Sequence, residues 1–253
     1  KPFFTFPTVA SNCAACTAIA VIYNADGTFK EYFYPKCPSY HTFINTRIIA
    51  DSPDSLLWAG IGDALSKEYE VLFATRAEEL FHTTLLGAQL SKACTAPLID
   101  FGAKALEDCK ANKASYELEQ VALDIIISTG IVSNLTSDGE KYYYNSSLGH
   151  AFYYGSTVIP KAEKHLHGEV VSFGVLCLLT YDNQLEERER IMKFHKTIGL
   201  PTCLADMEIT EEDIPAIVEK ASTVREWTCV PYATDKDKFA KAILETDKVG
   251  KTF

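Results

Sequence analysis

The sequence lacks an uninterrupted apolar run of membrane-spanning length. Its longest stretches, such as Val170 to Leu179, are broken by polar residues well before about 18 residues, which argues against a spanning helix. It also lacks a dense basic cluster. Lys and Arg number 24 against 34 Asp and Glu, a formal charge of −10, and the acidic residues are scattered, so nucleic acid and anionic membrane are poor partners. No period of 20 to 50 residues repeats, no low-complexity linker divides the chain, and no strand–helix alternation builds a nucleotide-binding βαβ unit. A signal peptide is missing too. The first residue is Lys1 rather than Met, and Lys1 to Pro7 reads as a buried strand, so the chain is expected to begin in mid-fold and to be incomplete.

What is present is a folding composition: 253 residues, 47% apolar and 23% charged, enough for one large or two modest domains. Eight cysteines, widely separated apart from Cys13 and Cys16, lie partly in apolar runs such as Val175-Leu176-Cys177-Leu178. That pattern fits reduced, buried thiols in a cytoplasmic protein. Two glycosylation triplets, at Asn134 and Asn145, carry little weight because the triplet is common by chance.

Residues 1–50 are rich in β signals. Thr17 to Tyr23 and Thr28 to Tyr34 are Ile/Val/Phe/Tyr-rich runs joined by Asn24-Ala25-Asp26-Gly27, a hairpin turn, and a short strand from Thr42 to Ile44 follows. From residue 51 the pattern is helical. Ser52 can cap a helix with Pro53 in its first turn, followed by Leu56, Leu57, Ala64 and Leu65. Further helices are expected over 78–92, 97–110, 116–128, 147–160, 168–181, 185–198, 211–222 and 236–246. Thr210 with Asp213 and Thr234 with Asp237 have capping-box spacing. The expected fold is mainly α: a short N-terminal β-hairpin segment (1–50) leading into a multi-helical domain (51–253).

Three polar residues stand out. Asp63 lies in Ala59-Gly60-Ile61-Gly62-Asp63-Ala64-Leu65, where small and apolar neighbours would bury a carboxylate that then needs a partner. His150, in Gly149-His150-Ala151-Phe152, and His167, in Leu166-His167-Gly168-Glu169, have similar settings. One Asp and two His from three helices can form a metal site with open positions; equally, Asp63 can cap a helix and each histidine bond a nearby carbonyl. His165 is about 200° round a helix from His167 and is left outside such a site. Cys13-Ala14-Ala15-Cys16 has redox or half-knuckle spacing, but with no second pair and no βαβ setting it reads better as two free thiols under the hairpin. His41, His82 and His195 read as solvated or capping residues, and Tyr142-Tyr143-Tyr144 as a packing or interface feature.

With these residues in view, the sequence resembles the metal-dependent, iron-containing alcohol dehydrogenases, most of all their glycerol dehydrogenase branch. Four stretches carry the resemblance: Pro7 to Ser11 with Ala18 to Tyr23, Gly60 to Leu65 after Ile48-Ile49-Ala50, Gly149 to Gly155, and Leu166 to Gly174. It implies a C-terminal metal-binding domain of the dehydroquinate-synthase type, with the N-terminal dinucleotide-binding domain and its Gly-rich loop absent from these residues, and residues 1–50 bordering the cofactor cleft. It implies Asp63, His150 and His167 as metal ligands. Relatives that prefer iron have a further histidine where this chain has Lys67, so the ion expected is Zn2+, with Fe2+ an alternative. Cofactor contacts, to NAD or NADP, would fall on Thr8, Ser11, Thr17, Ile19 and Tyr23.

Cys13 stands where glycerol dehydrogenases hold glycerol with an aspartate. The run Ala10 to Ala15 looks more like the hydroxycarboxylate dehydrogenases of the same superfamily, which reduce 2-oxo acids. The substrate implied is therefore a small alcohol, polyol or 2-oxo acid, with Cys13 lining its pocket, and a homo-oligomer is expected. Taken alone, the 253 residues are expected not to bind a nicotinamide dinucleotide tightly, so that micromolar affinity by calorimetry would overturn this reading. The alternatives are a non-catalytic metal-binding domain and a lyase of the dehydroquinate synthase type, the latter disfavoured because no basic cluster lies near the ligands.

Overall fold

The computed structural model describes residues 2–25, 29–139, 141–230 and 234–253. Four short strands come first: β1 (Phe4–Thr5), β2 (Ala20–Tyr23), β3 (Phe29–Phe33) and β4 (His41–Thr42). β2 and β3 pair antiparallel with Ala20 opposite Phe33 and a register shift between Ile22 and Tyr23. This is the expected hairpin, although Asp26 and Gly27 of its turn lie outside the described residues. β1 pairs in parallel with β4. The expectation of a buried first strand is corrected: Phe3, Phe4 and Phe6 are 43%, 49% and 68% exposed. With β4 as the one strand neighbour of β1 among the described residues, these rings meet other exposed rings. Phe6 stacks on Phe43 at 4.9 Å, and Phe4 on His41 at 5.8 Å.

Helices begin before residue 51. α1 (Thr46–Ala50) is capped by the Asn45 side chain, which accepts from Arg47 N. α2 (Asp54–Ala64) opens without a side-chain cap; Ser52, expected there, instead donates its hydroxyl to Ile49 O. α3 (Ser66–Thr75) continues α2 through Leu65, which keeps helical torsions. Then come α4 (His82–Ser91), α5 (Ala96–Lys110) and α6 (Tyr116–Leu123). A π-helical turn, Asp124–Ser128, joins α6 to α7 (Thr129–Thr136).

The stretch 116–136 is thus one helical run of 21 residues, long and apolar enough by length and composition to cross a membrane, which the sequence had not suggested. Of its most apolar window, 56% is buried inside the protein, as expected of a core helix. A small ribbon, β5 (Ser137–Asp138) with β6 (Tyr142–Tyr143), precedes α8 (Leu148–Ser156). The remaining helices are α9 (His167–Tyr181), α10 (Leu185–Ile198), α11 (Ile214–Ala221), α12 (Arg225–Thr228) and α13 (Lys236–Gly250). The capping box at Thr210 and Asp213 forms. That at Thr234 does not: Asp235 caps α13 by accepting from Lys238 N, one residue later than expected.

The fold is mainly α, and no dinucleotide-binding βαβ unit occurs among the described residues. α9 is its axis. Every one of its residues except His167 and Glu169 is buried, and α2, α3, α8, α10 and α13 pack around it. The same core takes in Ala10, Ile49 and Ala50, so the N-terminal segment and the helices share one interior.

Candidate metal centre

Three helices bring Asp63, His150 and His167 together because glycines let their backbones touch. A Cβ on Gly168 would lie 1.8 Å from Ala59 O, and one on Gly62 would lie 2.4 Å from Gly168 O. α2 and α9 therefore cross at a distance that only glycine permits. A Cβ on Gly174 would meet Gly149 O at 2.3 Å, which locks α8 to α9 in the same way. These crossings place the penultimate residue of α2, the third residue of α8 and the first residue of α9 in one cluster, with one ligand atom from each side chain within 4.8 Å of the others. Glu169 fixes the start of α9 by accepting from Leu166 N at 3.0 Å, and its other oxygen engages His165 Nδ1 at 2.8 Å. His165 is occupied outside the cluster, as expected.

Asp63 Oδ1 lies 3.2 Å from His167 Nε2 and 3.5 Å from His150 Nε2, yet it is buried and has no hydrogen bond. Ligand atoms on a tetrahedral zinc ion, about 2.0–2.1 Å from it, stand roughly 3.3 Å apart, so the spacing suits such an ion. One carboxylate and two imidazoles are also a donor set that zinc accepts. His167 is 41% exposed in its side chain, against 18% for Asp63 and 15% for His150, so the cluster opens on the His167 side. The Tyr153 ring packs edge-on against His167 at 4.1 Å.

Behind the cluster stands Glu70, fully buried on α3 and not singled out from the sequence. Its carboxylate accepts Ser147 N at 2.7 Å and His150 N at 2.9 Å, and His150 Nδ1 donates to it at 2.6 Å. That bond commits Nδ1 to Glu70 and leaves Nε2, facing Asp63, as the nitrogen available to a metal. The electrostatics describe a site built for a cation. Burial would raise the pKa of Asp63, but the two imidazoles facing it override burial and hold the carboxyl far below the usual range. Burial would likewise lower His150, but Glu70 and then Asp63 push it up to about 10. Glu70 is itself held low, burial being outweighed by His150 and the backbone donors. In the absence of an ion, two carboxylates draw a proton into the place where a metal would sit.

The other residues singled out in the sequence are dispersed around this cluster. Ser11 lies against α2 one turn before Asp63, where a Cβ on Gly60 would be 2.2 Å from Ala10 O and 2.9 Å from Ser11 Cα. Asn134 clamps the turn that follows, accepting Ala18 N at 2.8 Å and donating to Cys16 O at 2.9 Å. Thr17 is buried, its hydroxyl directed to Ile19 O at 3.1 Å; Thr8 is exposed and Ile19 half-buried. Tyr23 ends β2. Cys13 is half-buried, with Sγ 3.8 Å from Ser133 Oγ.

All eight cysteines are free, but only Cys94, Cys109 and Cys177 are buried, which corrects the expectation of buried thiols. His41 and His82 are exposed. His195, read as solvated or capping, is instead fully buried, donates from Nδ1 to Pro201 O at 2.8 Å, and is pushed down by burial to about 4. In the tyrosine run, Tyr143 packs under the Arg225 guanidinium at 4.2 Å and Tyr144 donates to Glu78.

No family model matches the sequence. The chain is 32% identical to glycerol dehydrogenase of Escherichia coli (strain CFT073) over 267 residues, covering all of this chain and 69% of that protein. It is also 32% identical to hydroxycarboxylate dehydrogenase A of Escherichia coli K12 over 209 residues, covering 82% of this chain and 57% of that protein. Its fold matches the crystal structure of a probable glycerol dehydrogenase from Sinorhizobium meliloti 1021 with a TM-score of 0.86 and 27% identity, over 100% of this chain and 71% of that one. The chain thus spans between 57% and 71% of the length of these relatives. These likenesses show the family: the chain belongs to the glycerol dehydrogenases.

Proposed function

We propose that this chain carries the metal-binding part of an NAD- or NADP-dependent dehydrogenase of small alcohols, polyols or 2-hydroxy acids, with Asp63, His150 and His167 holding a zinc ion. The observation that carries the reading is Asp63 Oδ1, buried without a hydrogen bond between two imidazole nitrogens. A carboxylate oxygen in that position costs free energy unless a cation joins it. The ion would supply Lewis-acid stabilisation of an alcohol or carbonyl oxygen while the nicotinamide exchanges hydride with the carbon. Fe2+ is the second ion this donor set accepts.

The chain's own residues divide the remaining work. Glu70 orients His150, and the opening beside His167 admits substrate. Ser11 and its neighbours Thr8, Thr17, Ile19 and Tyr23 belong to the cofactor side, residues 1–50 bordering that cleft and 51–253 supplying the metal centre. Cys13 lies on the substrate side. The free thiols fit a reducing compartment, and a cytoplasmic location is part of the proposal. In the enzyme that carries this chain, hydride transfer from glycerol or a 2-hydroxy acid, followed by NADH absorbance, is expected to require zinc and to fall to background in Asp63→Ala. Full activity in the zinc-free protein would contradict the proposal.

A further inference from the structure

Lys67 is a buried cation with no counter-ion among the described residues. Its side chain belongs to a residue only 6% exposed, and the ammonium donates to Ser133 Oγ at 3.1 Å, Asn145 O at 3.2 Å and Asn145 Oδ1 at 2.6 Å, all neutral acceptors. Four other buried ions face an opposite charge, Glu70 with His150, Asp108 with Lys104, Arg188 with Glu245 and Asp247 with Lys251, whereas Asp124 and Glu226 are buried without an ion pair among the described residues and burial raises both toward the neutral acid. Lys67 has no ion pair among the described residues. Three neutral acceptors satisfy its N–H groups but leave its charge uncompensated, an arrangement that stability alone does not favour. A methionine would fill the same space without that cost.

The position of this charge gives it a purpose. Lys67 stands one helical turn after Asp63 and one turn before Glu70 on the continuous run of α2 and α3. The segment 145–150 crosses both residues, placing Asn145 on the ammonium and the backbone N–H groups of Ser147 and His150 on Glu70. Ser133 Oγ, which accepts from the ammonium, is also the hydroxyl that Cys13 Sγ meets at 3.8 Å. Ser133 thus links a half-buried thiol to the ammonium, which stands on the same helical run that carries Asp63 and Glu70.

We infer that Lys67 is the cation that recognises a substrate carboxylate, making 2-hydroxy and 2-oxo acids, rather than neutral polyols, the substrate class of this site. The inference rests on the metal-centre reading above and deepens it. A carboxylate reaching the ammonium would displace one of its three neutral acceptors, trading a neutral hydrogen bond for a charge-assisted one. Neutral polyols have no use for the charge, and the thiol of Cys13 offers their hydroxyls only a weak partner.

The test uses the chain loaded with cobalt(II), whose visible spectrum reports ligand binding at the metal, and two probes of the same carbon skeleton, 2-hydroxybutyrate and 1,2-butanediol. The native chain is expected to bind the acid at least about tenfold more tightly than the diol, the size of one charge-assisted hydrogen bond. Lys67→Gln keeps a donor toward Ser133 and Asn145 but removes the charge; Lys67→Met removes both. Both variants are expected to bind cobalt like the native chain and to lose the preference for the acid. Retained preference in Lys67→Gln, or no preference for the acid in the native chain, overturns the inference. Failure of the chain to take up cobalt at all is seen before any acid is added and overturns the metal-centre reading instead.

Discussion

A single carboxylate decides which nitrogen of His150 faces the cluster. Replacing Glu70 with Gln keeps an acceptor for the N–H groups of Ser147 and His150 but puts an amide donor opposite His150 Nδ1. The imidazole then carries its proton on Nε2, and zinc affinity is expected to fall about 10–100-fold, measured by competition with a chelator. An unchanged affinity would show that the tautomer is not set by Glu70. Asp63, His150 and His167 were legible in the sequence because each is a polar residue among small and apolar ones. Glu70 was not, because Glu68-Tyr69-Glu70 offers two acids with nothing local to say which turns inward. Its place two helical turns after Asp63 was the available signal. Lys67 was legible only as the absence of a histidine; its burial depends on Ser133 and Asn145, far away in sequence.

Asp124 supplies a pH dependence. It is 3% exposed, neither carboxyl oxygen has a hydrogen bond, and burial pushes its pKa up to about 7. The folded state therefore holds a proton that the unfolded chain, titrating near 4, has lost, so stability falls as pH rises from about 4 through about 7 and is level above. Asp124→Asn is expected to remove that slope and to stabilise the protein at pH 8 by about 1–3 kcal/mol in urea denaturation. Equal stability of the two proteins at pH 8 would show that the carboxyl is solvated.

The helices were read from periodicity with boundaries soft by a few residues, and the errors have local causes. α4 begins at His82 rather than residue 78, and α13 runs on to Gly250. α3 was missed because it carries Lys67 and Glu70, two charged residues that are buried rather than solvated. The first strand was misjudged because an aromatic run reads as buried whether or not a neighbouring layer exists to bury it. What periodicity could not show is how tightly α9 meets α2. Gly168→Ala places a methyl 1.8 Å from Ala59 O, so the helices must part. The variant is expected to lose about 3 kcal/mol or more in urea denaturation and to bind zinc more weakly, since His167 precedes the crossing by one residue. Native stability in this variant would mean that the crossing is not locked.

Across the whole molecule, the N-terminal β segment and the helices share one core, and the chain is similar in fold and sequence to about two thirds of a glycerol dehydrogenase. Family and fold were legible because the stretches Gly60 to Leu65, Gly149 to Gly155 and Leu166 to Gly174 lie at the helix crossings and at the Asp63, His150 and His167 cluster, where backbone contact restricts the choice of residue. The surroundings of Lys67 were not, since they depend on side chains brought together from α3, α7 and the segment before α8. The most direct measurement is a zinc titration of the metal-free chain against a competing chelator, alongside Asp63→Ala. The expected result is one zinc per chain with a dissociation constant on the order of a micromolar or below, weakened at least about a hundredfold in the variant. No stoichiometric zinc, or equal affinity in Asp63→Ala, would contradict the assignment of Asp63, His150 and His167 as the metal centre.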